Sequence, residues 1–390
     1  MENFEFQCPT KIVFGRGVEE KVGEEVGKYS RRILFHYGGG SIKRIGLYDK
    51  IVQSLSEAGI EFVELSGVKP NPRLSLVKKG IEVCRNNRLD FILAVGGGSV
   101  IDSAKAIAVG VPYEGDVWDF YKRNAKPKEA LPVGVVLTIP GAGSEASPSS
   151  VVTNEEDLSK LSLTTELIRP RFAFMNPEVT FTVPPYYTAC GAADIMAHVM
   201  ERYFTSARDT DLTDRLCEAV LKTVIKNTPI VLKEPCNYNA RAEIMWASTV
   251  AHNGLLEAGR GGDWSSHVIE HEISGLYDVP HGAGLAVVFP SWMKYVYKNR
   301  VERFAKFAVE VWGVDPDFEN TEKTALEGIE RLRNFFKQIG LPTTLKELGV
   351  PSDKLEYMAL RCTKQGSSKI GNLVKLGKED VLKILLDALG

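Results

Sequence analysis

The 390-residue chain is 44% hydrophobic and 25% charged, the balance of an ordinary globular protein with room for two domains. A net charge of −2 and an isoelectric point near 6.4 leave no basic field, which argues against nucleic acid and anionic membrane surfaces as partners. No basic segment followed by an apolar core opens the chain, and no apolar run approaches the ~18 residues of a membrane span, so a cytoplasmic protein is expected.

In chain order, Lys11 to Phe14 reads as a first short strand and Val18 to Tyr29 as helical. Arg31 to Tyr37 is a strand running into Gly38-Gly39-Gly40-Ser41, and Ile42 to Ala58 has helical spacing. Gly59 to Leu65 alternates as a strand, Leu74 to Asn86 is helical, and Phe91 to Val95 is a buried strand by its continuous apolar run. Strands alternating with helices imply a parallel sheet covered on both faces, hence an α/β first domain. The buried strand feeds directly into Gly96-Gly97-Gly98-Ser99-Val-Ile-Asp102. Glycines at a strand-to-helix junction let backbone amides approach a ligand, and the helix dipole favours phosphate, so this loop is a candidate pyrophosphate site. It is not the G-x-G-x-x-G fingerprint, so a plain Rossmann assignment would be wrong in detail. Gly134 to Pro140 is another strand, ending in the loop Gly141-Ala-Gly-Ser-Glu-Ala-Ser147, again where ligands sit in open α/β sheets. Asn154 to Lys160 reads as a charged hairpin tip, with Lys160 either free to reach an anion or solvated.

After Asn176-Pro177 the character changes, and Pro184-Pro185 opens a helix-rich region. Tyr186 to Phe204, Asp211 to Lys226, Ala240 to Leu256, Val301 to Val311, Glu322 to Ile339 and Lys378 to Leu389 carry helical periodicity. The expected division is therefore residues 1–183, an α/β dinucleotide-binding domain, and residues 184–390, an all-α metal-binding domain. A cleft between the two would bring a dinucleotide and a metal together. The six cysteines, Cys8, Cys84, Cys190, Cys217, Cys236 and Cys362, have no paired spacing, which points to reduced thiols and to core packing for Cys190.

The metal signal lies in the helical half. Asp194 and His198 stand four apart in a run of strong helix character, so both project from one face. Downstream, His267, His271 and His281 place three of the six histidines within fifteen positions, and Pro280 and Gly282 fix a sharp turn around His281. Taken singly, an Asp-x3-His pair is more often a surface ion pair, and His267 and His271 could be satisfied core histidines. The conjunction shifts the balance to a site where one carboxylate and several imidazoles suit iron, zinc, cobalt or nickel better than magnesium or calcium.

Gly96-Gly-Gly-Ser-Val-Ile-Asp102, Gly141-Ala-Gly-Ser-Glu145, Asp194-x3-His198 and His267-x3-His271-x9-His281-Gly282 together resemble the iron-containing (group III) alcohol dehydrogenase family, and within it the NADPH-dependent aldehyde reductase and butanol dehydrogenase branch. The resemblance spans essentially the whole chain. It implies an N-terminal dinucleotide-binding α/β domain, an all-helical C-terminal domain and a homodimer. It makes Asp194, His198, His267 and His281 the ligands of Fe²⁺, with Zn²⁺ or Ni²⁺ as substitutes, and puts His271 beside the nicotinamide. It places Gly97, Gly98 and Ser99 on the pyrophosphate, and Asn71, Asp102, Thr138, Ser147 and Lys160 near the cofactor. One departure is Ala142, where many members carry threonine, so one hydroxyl contact is absent or replaced.

An acidic side chain after the second strand usually reads the ribose 2′-hydroxyl and repels a 2′-phosphate. Here the turn is Gly38-Gly39-Gly40-Ser41-Ile-Lys43-Arg44, with open space, a hydroxyl and two cations but no acid, so NADP(H) is expected over NAD(H). The expected reaction interconverts a small primary alcohol, such as butanol, and its aldehyde, with His271 or a bound water as proton relay. Rival readings on the same architecture are a glycerol (polyol) dehydrogenase and a dehydroquinate synthase-like lyase. The lyase would need a cluster of cations for a phosphorylated substrate, whereas the ligands here are flanked by Arg260 and by Trp264, Leu276 and Tyr277. A non-catalytic nucleotide-binding protein would be expected to have lost ligands, and all four are present.

Overall fold

The computed structural model describes residues 1–390. Eight strands run β1 Lys11–Phe14, β2 Arg32–Tyr37, β3 Glu61–Leu65, β4 Phe91–Gly96, β5 Val133–Leu137, β6 Ser149–Asn154, β7 Ser159–Thr164 and β8 Phe172–Met175. Through the first half they alternate with helices α1 Val22–Val26, α2 Ser41–Arg44, α3 Leu47–Glu57, α4 Leu74–Asn87, α5 Gly98–Gly110 and α6 Trp118–Tyr121. The second half carries α7 Pro185–Tyr203, α8 Asp211–Lys233, α9 Tyr238–His252, α10 Ser265–Tyr277, α11 His281–Val296, α12 Val301–Trp312, α13 Thr321–Gln338, α14 Leu355–Cys362 and α15 Lys378–Asp387.

The chain forms two compact units. One, residues 7–183 with 235–249, holds all eight strands. The other, residues 1–6, 184–234 and 250–390, is helical. The segment 235–249, most of α9, thus groups with the α/β unit rather than with the helices that flank it in sequence.

In the α/β unit six strands make one sheet in the order β1-β8-β5-β4-β2-β3. Every neighbouring pair is parallel. Successive side chains of a strand point to opposite faces, and the central strands are apolar at both. Leu34, Ile92, Ala94 and Val135 enter one core, while Ile33, Phe35, Phe91 and Leu93 enter the other. That double burial is why β4 reads as a continuous apolar run rather than as an alternation. Strand β8 is the element that pattern reading misses. It has only four residues, yet it fills the place between β1 and β5. The helix expected over 42–58 is broken at Gly46, whose φ of 72° is left-handed, so α2 is a single turn and α3 starts anew.

The hairpin expected around Asn154 to Lys160 is present as β6 and β7, but Lys160 lies on β7 and is buried. Its ammonium donates to Asn71 Oδ1 at 3.0 Å, a partner that brings Asn71 and Lys160 together inside the unit. A second buried polar group, His36 on β2, has no exposed surface: Nδ1–H donates to the Leu65 carbonyl at 2.8 Å, and the Ser103 hydroxyl donates to Nε2 at 2.9 Å. Burial lowers its pKa from 6.5 to about 4, with the Leu65 hydrogen bond opposing.

Between these values the unfolded chain binds a proton at His36 that the folded chain refuses, so stability is complete above pH 6.5 and falls as pH drops toward 4. The expected contribution is a loss of about 2 kcal/mol between pH 7 and pH 5. Denaturant unfolding of wild type and His36→Asn at both pH values checks it: the variant should show the smaller pH dependence, and equal slopes would remove His36 as the cause.

Candidate metal centre

Three helices of the helical unit supply the site. Pro185 sits at the first position of α7, where a missing N–H costs nothing, and Pro184 precedes it as the cap. The helix then carries Asp194, His198 and Glu201 on one face at spacings of four and three. Helix α10 carries His267, Glu270 and His271, and α11 begins with His281. Pro280 caps that helix with extended backbone, so His281 opens a helix instead of standing in the sharp turn expected of Pro-His-Gly. Gly282 matters for packing. A Cβ there would lie 2.0 Å from the backbone oxygen of Cys190, so only glycine lets α11 approach α7 this closely.

The structure brings the four expected ligands to one point. Asp194 Oδ1 is 3.4 Å from His198 Nε2 and 3.7 Å from His281 Nε2. Ligand atoms of Asp194, His267 and His281 all fall within 4.8 Å of one another. The His198 and His267 ring centroids are 4.7 Å apart, and those of His267 and His281 are 5.4 Å apart. Asp194, His198 and His267 are buried and His281 is partly so. Burial, with His252, His267, Arg202 and His281 adding to it, holds the His198 pKa well below its ordinary value, so that ring is a neutral donor.

The tautomers follow from the partners. His267 Nδ1 donates to Glu201 Oε1 at 2.7 Å, and His281 Nδ1 pairs with Glu270 Oε2. Each leaves Nε2 for the centre, and the Nε2 of His267 is buried with no hydrogen-bond partner. A buried polar nitrogen without a partner is costly. One carboxylate oxygen and three imidazole nitrogens, two of them oriented by a second carboxylate, make a donor set that fits a borderline divalent cation. Cys190, one turn before Asp194, is not part of it: burial, with the Asp194 carboxylate adding to it and the Tyr186 hydrogen bond opposing, pushes the thiol up to about 12.

Sequence reasoning missed the supporting residues. Glu201 and Glu270 are fully buried, and Glu201 also accepts from the backbone amides of Trp264 and His267 at 2.5 and 3.1 Å, pinning the start of α10. Trp264 has a φ of 66°, unusual for a bulky residue, and its indole stands 5.2 Å from the His267 ring under the Arg202 guanidinium at 4.7 Å. Arg202 also donates to the His198 carbonyl at 2.7 Å and faces His252 Nδ1 at 3.0 Å, and the His252 ring is 4.2 Å from His198. The seven-residue spacing of Asp194, His198 and Glu201 was the available signal. His271 lies 5.5 Å, ring to ring, from His281.

In the α/β unit, Gly97 caps α5, and the first amides bonded back to its carbonyl are those of Val100 and Ile101, which leaves the helix start at Gly98 and Ser99 open to an anion. Gly38 and Gly39 follow β2, Ser41 starts α2, and Thr138 follows β5 with its amide on the Gly96 carbonyl. Two expected cofactor residues are spent inside the protein. Asp102 accepts from the Ser144 hydroxyl at 2.6 Å and the Val151 amide at 3.0 Å, and Ser147 is buried with its hydroxyl toward Lys105.

Residues 9–177 match the family model described as iron-containing alcohol dehydrogenase, and residues 188–389 match the C-terminal model of the Fe-containing alcohol dehydrogenase family. A probable NADH-dependent butanol dehydrogenase of Bacillus subtilis is 46% identical over 99% of this chain and 99% of its own. The NADPH-dependent aldehyde reductase of Escherichia coli is 33% identical over 95% of each. The crystal structure of NADH-dependent butanol dehydrogenase A from Thermotoga maritima superposes with a TM-score of 0.96 at 42% identity, covering 100% of this chain and 99% of that one.

Glu201→Gln should lower metal affinity about 10- to 100-fold without loss of helix content, read by competition with a chelating dye. Gly282→Ala, which has no room for its methyl, should lose metal and thermal stability together. Wild-type affinity in Glu201→Gln would show that Glu201 has no hold on His267.

Proposed function

We propose a reaction scheme for this chain, which belongs to the iron-containing alcohol dehydrogenase family and interconverts alcohols and aldehydes by hydride transfer with a nicotinamide cofactor. In this scheme Asp194, His198, His267 and His281 hold the divalent cation, iron first. The observation that carries it is the convergence of these four side chains on one buried point, with Glu201 and Glu270 behind two of the rings. When bound, the cation supplies Lewis acidity toward the alcohol or aldehyde oxygen, and the nicotinamide accepts or delivers hydride at the adjacent carbon.

The protein's own residues do the rest. Asp194 offsets only part of the cation's charge, because the three imidazoles are neutral donors. Glu201 and Glu270 fix the protonated nitrogen of His267 and His281, so neither ring can turn its Nε2 away. His271, one turn beyond His267 and beside His281, is the proton relay of the scheme.

The substrate class is a small, weakly polar primary alcohol or aldehyde of the butanol and butanal type. Arg260, the cation singled out near the ligands in sequence, is committed elsewhere: it donates to the Thr210 carbonyl at 2.9 Å and to Asp214 at 2.6 Å and has no exposed side-chain surface. That leaves Arg260 unavailable to a phosphorylated substrate and weighs against the lyase reading. The name of the similar Bacillus subtilis protein, a probable butanol dehydrogenase, supports the same class. A homodimer, as the family resemblance implies, belongs to this reading.

The finer cofactor reading moves from NADP(H) toward NAD(H). Lys43 Nζ stands 4.4 Å from the ring centroid of Tyr48 and 5.5 Å from that of Tyr37. Both tyrosines donate to Glu64, at 2.5 and 2.6 Å. Burial alone would raise the Glu64 pKa, but these bonds and the Lys43 charge hold it below the usual range, so the carboxylate is ionised. Lys43 is thus partly spent on an acid contributed by β3, which the sequence of the turn itself does not contain. The Bacillus subtilis and Thermotoga maritima relatives, both more similar than the Escherichia coli reductase, carry NADH in their names.

With butanal, chelator-treated protein should lose activity and regain it with Fe²⁺ under anaerobic conditions, and kcat/KM should be higher with NADH than with NADPH. No turnover with either, across several aldehydes, would overturn the scheme; a preference for NADPH would overturn only the cofactor assignment. His271→Ala should flatten the pH dependence of kcat near neutrality, and an unchanged profile would exclude it as the relay.

A further inference from the structure

Beneath the two glycine loops of the α/β unit lies a lysine that the scheme above does not use. Lys105, on α5, has no exposed surface. Its ammonium donates to the carbonyl oxygens of Ser144, Ser147 and Ser149 at 2.6, 2.9 and 2.8 Å and to the Ser144 hydroxyl at 2.8 Å, with the Ser147 hydroxyl at 3.4 Å. An ammonium is strongly hydrated, so burying one is unfavourable unless fixed oxygens replace the water. Here one loop supplies nearly all of them.

The rest of the region reinforces the same join. Asp102, one turn earlier on α5, accepts from the Ser144 hydroxyl and the Val151 amide, and its own carbonyl accepts from the Ser150 hydroxyl at 2.8 Å. Glu145 is buried in the loop and accepts from Thr249 Oγ1 at 2.7 Å, while Arg169 donates to the Ala146 carbonyl. The two loops also touch. A Cβ on Gly98 would stand 2.9 Å from Ala142 Cβ, and one on Gly97 would stand 3.2 Å from Ile139 Cβ.

We propose that Lys105 is a positioning residue for the nicotinamide cofactor: its ammonium is the internal cation around which the Gly141–Ser149 loop is wound, and it holds that loop against the Gly96–Ser99 loop. The inference rests on the reading of these loops as the cofactor site. Without the charge, three carbonyls that converge on one point would repel one another, and the loop would open away from α5.

The geometry also makes the device sensitive to pH. The groups facing Lys105 are the Asp102 and Glu145 carboxyls, the Arg169 guanidinium and the serine oxygens already named; Lys160 lies toward Asp102. Burial lowers the Lys105 pKa to about 8, opposed by Asp102 and Glu145 and assisted by Arg169. Mild alkali should therefore discharge it and loosen the loop.

The test measures NADH binding, repeated with NADPH, by fluorescence on the full-length metal-loaded protein without aldehyde, from pH 7 to pH 9.5. Lys105→Met should raise Kd at least ten-fold at pH 7 while the metal content per chain stays at the wild-type value. Wild-type Kd should rise across the range and that of the variant should not. Should Lys105→Met fail to fold, Ser144→Ala, which deletes one oxygen from the ammonium, should move the alkaline rise to lower pH. A wild-type Kd in Lys105→Met, or a Kd independent of pH in both wild type and Ser144→Ala, overturns the role of Lys105 and leaves the loops as the cofactor site. A wild-type protein that binds neither nucleotide overturns the reading of the loops as well.

Discussion

Three imidazoles and a carboxylate packed together, all but His281 buried, are costly to hold without a partner at their centre. The Nε2 of His267 is buried with no hydrogen-bond partner, and the carboxylates behind the rings, Glu201 and Glu270, are buried outright. A cation at the shared point would place an electrophile within reach of these donors. The helical unit is built around that demand. Helix α7 brings its ligands on one face, α10 brings His267 on an end pinned by Glu201, and α11 brings His281 on a first turn that touches α7. Gly282 and Gly284 permit the closeness: a Cβ on the second would press on the Glu270 side chain at 2.8 Å. Small residues at those positions are thus as much a condition of the site as the ligands.

The α/β unit solves a related problem with a resident charge. Its parallel strands end in loops, and such loops are ordered only if something inside holds them. Lys105 and Asp102 do this for Gly141–Ser149, one as donor and one as acceptor, from consecutive turns of a helix that itself starts in the other glycine loop. In both units a charge with few alternatives sets the position of backbone or rings that must meet a ligand.

Much of this was legible in the sequence, and the exceptions have physical causes. The Asp-x3-His spacing and the clustered histidines gave the four converging side chains, because a helix turns i and i+4 to one side regardless of context. Glu201 and Glu270 follow the same spacing but look like ordinary surface carboxylates; only burial distinguishes them. Helices α10 and α11 carry no clean stripe because α11 is buried almost all round, which erases the periodicity that reveals a helix. Strand β8 is too short to show a pattern. Lys160 and Arg260 appeared available and are engaged, since a hydrogen-bond partner distant in sequence cannot be read from local composition. The turn after β2 hides a partner for the same reason: the acid near Lys43, Glu64, arrives from the neighbouring strand.

Asp194, His198, His267 and His281 are proposed to hold one divalent cation. Crystals grown anaerobically with Fe²⁺ and measured on both sides of the iron absorption edge test it most directly. One strong anomalous peak per chain is expected at roughly 2 Å from the Asp194 carboxylate and from the Nε2 atoms of all three histidines. A peak held by other side chains, or a fully loaded protein with no peak among these four, would contradict it.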